Sequence, residues 1–198
     1  MLILNSNKNN FINVFFQAHL KNEPVIFPTD TIYGIGAFFD DEKANNKIFE
    51  LKERDTTKPF PILISDFSQL EMLKVSITDL QKSILEKYWP GRFTFLLKTK
   101  LNYKYCVLES KIAVRMVRDL PIYEMIAHFN KPVTATSANL SRQPYKPSIK
   151  YIINTFADKV KYVLVKNDNN DKPSTIIDLT TTPFNIIRNP YNISLDNL

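Results

Sequence analysis

The chain has 198 residues, 44% hydrophobic and 12% aromatic, so it can fill a sizeable core, and disordered, collagen-like and coiled-coil classes are excluded. Its 26 Lys and Arg against 20 Asp and Glu give a net charge of +6, which favours phosphate-bearing partners such as nucleotides or RNA. One cysteine, Cys106, excludes an intrachain disulfide and a Cys-rich metal site, and no run approaches the roughly 18 apolar residues of a membrane span. The first residues, MLILNSNKNNFINVFF, lack both a basic region and a small-residue cleavage site, so no signal peptide is expected. The expectation is one cytoplasmic domain over residues 1–198, with no membrane partner.

Apolar residues at Phe11, Val14, Phe15 and Ala18 predict a helix over 7–21, and Val25-Ile26-Phe27 a short buried strand. A helix over 41–52 presents Ala44, Ile48, Phe49 and Leu51, and residues 61–64 read as a strand. Helical patterns follow at 67–74 and 78–88, with Ser76 or Thr78 as caps of the second. Strands are predicted at 93–97, 112–117 and 133–136, and the last two flank a helix over 121–129 that begins at Pro121. A helix over 148–156 and strands at 162–165, 175–179 and 184–187 close the chain. This order predicts an α/β (α+β mixed) fold, a mixed sheet with flanking helices packed on it.

Only three glycines occur, and two of them, Gly34 and Gly36, sit in Pro28-Thr29-Asp30-Thr31-Ile32-Tyr33-Gly34-Ile35-Gly36. Glycine persists where positive φ or close backbone approach requires it, so this segment reads either as a tight turn or as a ligand-lining loop. It matches neither GxxxxGK[ST] nor GxGxxG. Lys52-Glu53-Arg54-Asp55-Thr56-Thr57-Lys58-Pro59 ends a helix, where cations suit the dipole or form a phosphate clamp. Pro132 to Ser141 alternates small hydroxyls with an amide at a strand end, the usual ligand edge of an open α/β sheet. Arg115 stands alone in the apolar strand Ile112-Ala113-Val114-Arg115-Met116-Val117 and must meet an anion from protein or ligand.

In order, PTDTIYGIG, KERDTTKP, PGRFT, IAVRM, TSAN-x-S and PSTIIDL resemble the YrdC/Sua5 family from about Val25 to Arg188. The likeness is to its short, single-domain L-threonylcarbamoyladenylate synthases, and it implies a twisted mixed sheet with flanking helices around a concave basic cleft. It implies synthesis of threonylcarbamoyl-AMP and pyrophosphate from ATP, L-threonine and bicarbonate. A downstream threonylcarbamoyl-transferase complex would then modify adenosine 37 of tRNA. Lys52, Arg54, Ser137 and Asn139 match the family's KxR…SxN signature at the ATP and intermediate site, joined by Lys58 and Arg188. Lys52 and Arg54 would be catalytic, stabilising charge on the phosphates. Thr29, Tyr33, Arg115 and Ser174 match threonine-binding positions.

The implied chemistry needs no protein nucleophile: a carbamate oxygen attacks the α-phosphorus, and positioning plus charge neutralisation do the rest. No metal-ligand cluster is evident, so Mg2+ is expected to arrive with ATP. Three departures from the family stand out. The strand after the KP segment ends Leu63-Ile64-Ser65-Asp66 where relatives often carry His, Arg142 replaces the glycine after SAN-x-S, and the closing R-x-G reads Arg188-Asn189-Pro190. Two alternatives use the same fold. One is a non-catalytic double-stranded RNA or tRNA-binding module, and weak tRNA contact is expected in any case. The other is a carbamoyl-transfer domain of a hydrogenase-maturation protein, without that protein's acylphosphatase and zinc-finger segments.

Overall fold

The computed structural model describes residues 1–118, 120–166 and 172–194. Asn7 opens helix α1 (Lys8–Leu20) by accepting a hydrogen bond from the Asn10 amide, and α1 buries Phe11, Val14, Phe15 and Ala18, as its spacing predicts. Helix α2 (Glu42–Lys52) is capped by Asp41 and ends on Glu53 in the left-handed conformation. The single turn α3 (Gln69–Met72) replaces the longer helix expected over 67–74, and Glu71 is the one charged residue in it. Helix α4 (Asp79–Tyr88) carries a capping box of Thr78 and Gln81, α5 (Pro121–Phe129) has proline in its first turn, and α6 (Ile149–Phe156) starts after Ser148.

The strands form two mixed sheets, where the sequence suggested one. In the five-stranded sheet the order is β1 (Leu2–Asn5), β10 (Tyr162–Val165), β2 (Val25–Phe27), β3 (Gly34–Gly36), β9 (Thr136–Ser137). In the other it is β12 (Asn185–Arg188), β11 (Thr175–Asp178), β5 (Phe93–Lys98), β7 (Lys111–Met116), β4 (Ile62–Ile64), β8 (Val133–Thr134), and β6 (Val107–Leu108) pairs with β7. Strand β1 escaped sequence reading because it is a short edge strand with Leu2 and Ile3 exposed, so it shows no buried pattern.

The strand expected over 133–136 splits at Ala135. Its amide donates to the Pro61 carbonyl at 2.8 Å, the last tie to β4, and the chain then crosses to β3 in the other sheet. Of the two readings of the paired glycines, the tight turn does not form. They lie in β3, extended and pairing with β2 and β9, and neither has positive φ. Close approach is what Gly36 serves, since a Cβ there would lie 1.7 Å from the Thr134 carbonyl oxygen.

Side-chain alternation divides the seven-stranded sheet into two faces. Ile62, Ile64, Phe95, Leu97, Ile112, Val114 and Ile177 point into the larger core, which α2 and α4 cover. Their neighbours Leu63, Thr94, Leu96, Lys111, Ala113, Arg115, Ile176 and Asp178 point the other way and floor a cavity. A second core, with Phe11, Phe15, Phe27 and Phe38 in ring contact, packs α1 and α5 against the five-stranded sheet. No helix among the described residues is long and apolar enough to cross a membrane.

Candidate active site

The cavity on the second face encloses about 500 Å³. Its roof is the Thr29–Gly34 segment and the Ala135–Ser137 crossing, and Ser174 and Arg188 close one side. The exposed Leu108 and Ile187 form part of its rim. A smaller cavity of about 130 Å³ lies beyond Arg54 and Ser137, which line both, and it is walled by Lys52, Glu53, Asp55, Lys58, Asn139, Ser141 and Arg142. Seven of the ten residues singled out by sequence, namely Thr29, Tyr33, Arg115, Ser174, Arg188 and the shared Arg54 and Ser137, line the larger space. Lys52, Lys58 and Asn139 line only the smaller one.

Arg115 is 4% exposed and finds its anion within the protein. Nη2 pairs with Asp30, Nη1 donates to Thr31 Oγ1 at 2.9 Å, and Nε donates to the Gly91 carbonyl at 2.8 Å. Burial lowers its pKa and the Asp30 carboxylate opposes that shift. The threonine hydroxyls are ordered by this pair. Thr29 Oγ1 donates to the Ile32 carbonyl at 2.7 Å and lies 2.9 Å from Thr31 Oγ1, so Thr31 donates to Thr29 and accepts from Arg115. The Tyr33 hydroxyl is spent on the Lys166 backbone, donating to its carbonyl at 3.0 Å and accepting from its amide at 2.8 Å, so it has no proton left for a ligand.

Arg188 donates to the Ser174 carbonyl at 2.8 Å and to Ser174 Oγ at 3.1 Å, and Ser174 Oγ meets Thr94 Oγ1 at 2.8 Å. Desolvation and then the neighbouring Arg115 charge lower the Arg188 pKa. Arg54 is held by neutral groups alone: the Lys58 carbonyl at 2.8 Å, Thr136 Oγ1 at 3.3 Å and the Pro59 carbonyl at 3.4 Å, with Phe60 beneath at 5.4 Å. Among the described residues, neither Arg54 nor Arg188 has a carboxylate within ion-pair distance.

Lys52 is 1% exposed. Its ammonium donates to the carbonyls of Ser137 and Asn139 and lies 3.5 Å from Asn139 Oδ1. Burial, and secondarily Arg54, push it down to about 7. Ser137 Oγ donates to Asn139 Oδ1 at 2.5 Å, and Asn139 Nδ2 to the Gln143 carbonyl at 2.6 Å. Arg142 holds φ 64° in the following turn, so the left-handed backbone survives where the resemblance expects glycine. The Ser141 hydroxyl is buried with no partner among the described residues.

Sequence reading missed Lys111 and Asp178, which belong to the larger cavity. Lys111 and Asp178 form an ion pair of 3.0 Å across its floor. Strand alternation was the available signal, because Lys111, Ala113 and Arg115 share one face, as do Ile176 and Asp178. Among the described residues no group of three His, Cys, Asp or Glu side chains is placed to hold a metal.

A family model for the Sua5, YciO and YrdC proteins, described as telomere recombination, matches residues 17–189. The threonylcarbamoyl-AMP synthase of Pyrococcus abyssi is 32% identical over 177 residues, 88% of this chain and 52% of that protein. The chain thus spans about half the length of that relative. A putative threonylcarbamoyl-AMP synthase of Methanocaldococcus jannaschii is 34% identical over 176 residues, 88% of this chain and 83% of that one. The crystal structure of P. abyssi Sua5 complexed with L-threonine superposes with a TM-score of 0.83 at 28% identity, covering 95% of this chain and 57% of the other.

Proposed function

The chain belongs to the Sua5/YciO/YrdC family, and on that premise we propose that it makes L-threonylcarbamoyl-AMP and pyrophosphate from ATP, L-threonine and bicarbonate. One observation carries the reading. Three guanidinium groups, Arg54, Arg115 and Arg188, converge on a single cavity, and two of them have no carboxylate partner among the described residues. Two guanidinium groups, Arg54 and Arg188, that share a cavity with no carboxylate at ion-pair distance among the described residues favour an anionic ligand.

Threonine's amine would add to CO2 derived from bicarbonate, losing a proton to give the carbamate. A carbamate oxygen would then bond to the α-phosphorus of ATP as the bond to pyrophosphate breaks. Arg115, through the donors left over from Asp30, Thr31 and Gly91, and Ser174 would hold the threonine carboxylate, and Thr29 and Tyr33 would shape that end. Arg54, Lys58, Ser137, Asn139 and Arg188 would hold the nucleotide. Its phosphates would extend into the smaller cavity, where the unpartnered Ser141 hydroxyl supports an oxygen-rich occupant. Mg2+ would travel with ATP and neutralise the leaving pyrophosphate. Cys106 plays no part, because burial pushes its thiol up to about 12.

In this reading the product passes, in the cytoplasm, to a transferase complex that modifies tRNA adenosine 37. Any tRNA contact of this chain would be weak and salt-dependent. Pyrophosphate release in reactions lacking one component at a time tests the proposal. Release that requires both threonine and bicarbonate is expected, and equal release without threonine would refute it.

A further inference from the structure

Lys52 and Arg54 leave the same helix end in different directions. The left-handed Glu53 between them turns the chain, so that Arg54 reaches over the larger cavity while Lys52 runs beneath the 137–141 turn. An ammonium has three hydrogens, and the turn offers this one three oxygens: the Ser137 carbonyl, the Asn139 carbonyl and Asn139 Oδ1. The main chain of Lys52 grips the same turn, its carbonyl accepting from the Ser141 amide at 2.9 Å. The Asn139 oxygen that Lys52 approaches is also the one that orients the Ser137 hydroxyl. To reach a phosphate, Lys52 would have to abandon the Asn139 carbonyl, for which no other donor is shown, and leave the Ser137 carbonyl to the Asn139 amide alone at 2.9 Å, in a site almost closed to water.

We propose that Lys52 is a positioning residue: it folds the 137–141 turn so that Ser137 and Asn139 face the ligand, and it makes no contact of its own with the nucleotide. The inference rests on the nucleotide reading of the site and divides the labour within it. Arg54 meets the ligand, and Lys52 builds the turn that meets it.

Lys52→Met keeps the length of the side chain and removes all three donors. Two readouts on this variant separate the roles. Amide exchange at Ala138, Asn139 and Ser141 is expected to quicken at least tenfold, with exchange in β5 and β7 unchanged. In equilibrium ATP binding, a double-mutant cycle with Asn139→Ala is expected to be strongly non-additive, the double variant being little worse than the weaker single one. Unchanged exchange in the turn, or losses in ATP binding that multiply, would overturn the proposal. Should Lys52→Met fail to fold, the wild type labelled with 15N-lysine supplies the test, because the Lys52 Nζ resonance should not move when ATP or pyrophosphate is added. A shift like that of a phosphate-bound ammonium would overturn the proposal. Wild-type protein that binds no ATP would refute the nucleotide reading, and amide exchange would still report on the turn.

Discussion

Gly36→Ala is expected to be severe and Gly34→Ala mild, although the two glycines sit two residues apart in one strand. At Gly36 the new Cβ would lie 1.7 Å from the Thr134 oxygen and 2.8 Å from its carbonyl carbon, both backbone atoms that cannot turn aside. Relief requires β3 and β8 to part by more than 1 Å. The parting strains the bond from the Thr134 amide to the Ala37 carbonyl at 2.8 Å and the bond from the Ala37 amide to the Thr134 hydroxyl at 3.1 Å. Overpacking costs about 1–3 kcal/mol, and two such hydrogen bonds about 1 kcal/mol each, giving about 3–5 kcal/mol in all. For a domain of this size that is a fall in Tm of about 6–20 °C. At Gly34 the nearest contact would be the edge of the Phe27 ring at 3.3 Å, and the backbone is extended, so a change below about 1 kcal/mol is expected. Thermal melts of the two variants decide the matter. Equal Tm values, or a Gly36→Ala protein as stable as wild type, would refute the steric account.

Arg54→Lys retains charge but cannot span the Lys58 carbonyl, Thr136 Oγ1 and the Pro59 carbonyl together, so the 58–59 segment should loosen. A small fall in Tm and at least a tenfold lower rate of pyrophosphate release are expected, and normal turnover would remove Arg54 from the nucleotide site. Glu23 is buried, which would raise its pKa, but hydrogen bonds and charge from Lys161 at 2.7 Å and Lys47 at 3.0 Å outweigh burial and lower it. Its stabilisation is therefore whole above the unfolded value of 4.5 and lost as pH falls through the lower folded value. Urea midpoints at pH 6 and pH 3.5 should differ less in Glu23→Gln than in wild type, and an equal difference would contradict this.

The buried stripe of α1 was legible because four apolar side chains at helical spacing admit few other readings. Arg115 was legible as a residue needing an anion, since an unpaired guanidinium inside an apolar strand is untenable, but the sequence could not say that Asp30 supplies the charge. Lys52 shows the opposite limit. A cation at a helix C-terminus reads as dipole compensation or, with the resemblance, as a phosphate clamp, and only the fold brings the 137–139 carbonyls, 85 residues distant, over its ammonium. The Thr-rich segment was readable as special for its glycines, and the reason proved to be contact with a strand almost a hundred residues away rather than a turn. Local pattern yields faces and caps, whereas the partner across a sheet depends on topology that pattern does not encode.

Incubation with ATP, threonine, magnesium and 13C-bicarbonate, followed by mass spectrometry of the nucleotide products, tests the central claim most directly. The account predicts a threonine-containing adenylate, heavier than AMP by a threonylcarbamoyl group, that carries the 13C label and forms in step with pyrophosphate. An unlabelled adenylate, or no adenylate from folded protein that binds tRNA tightly at physiological salt, would contradict it.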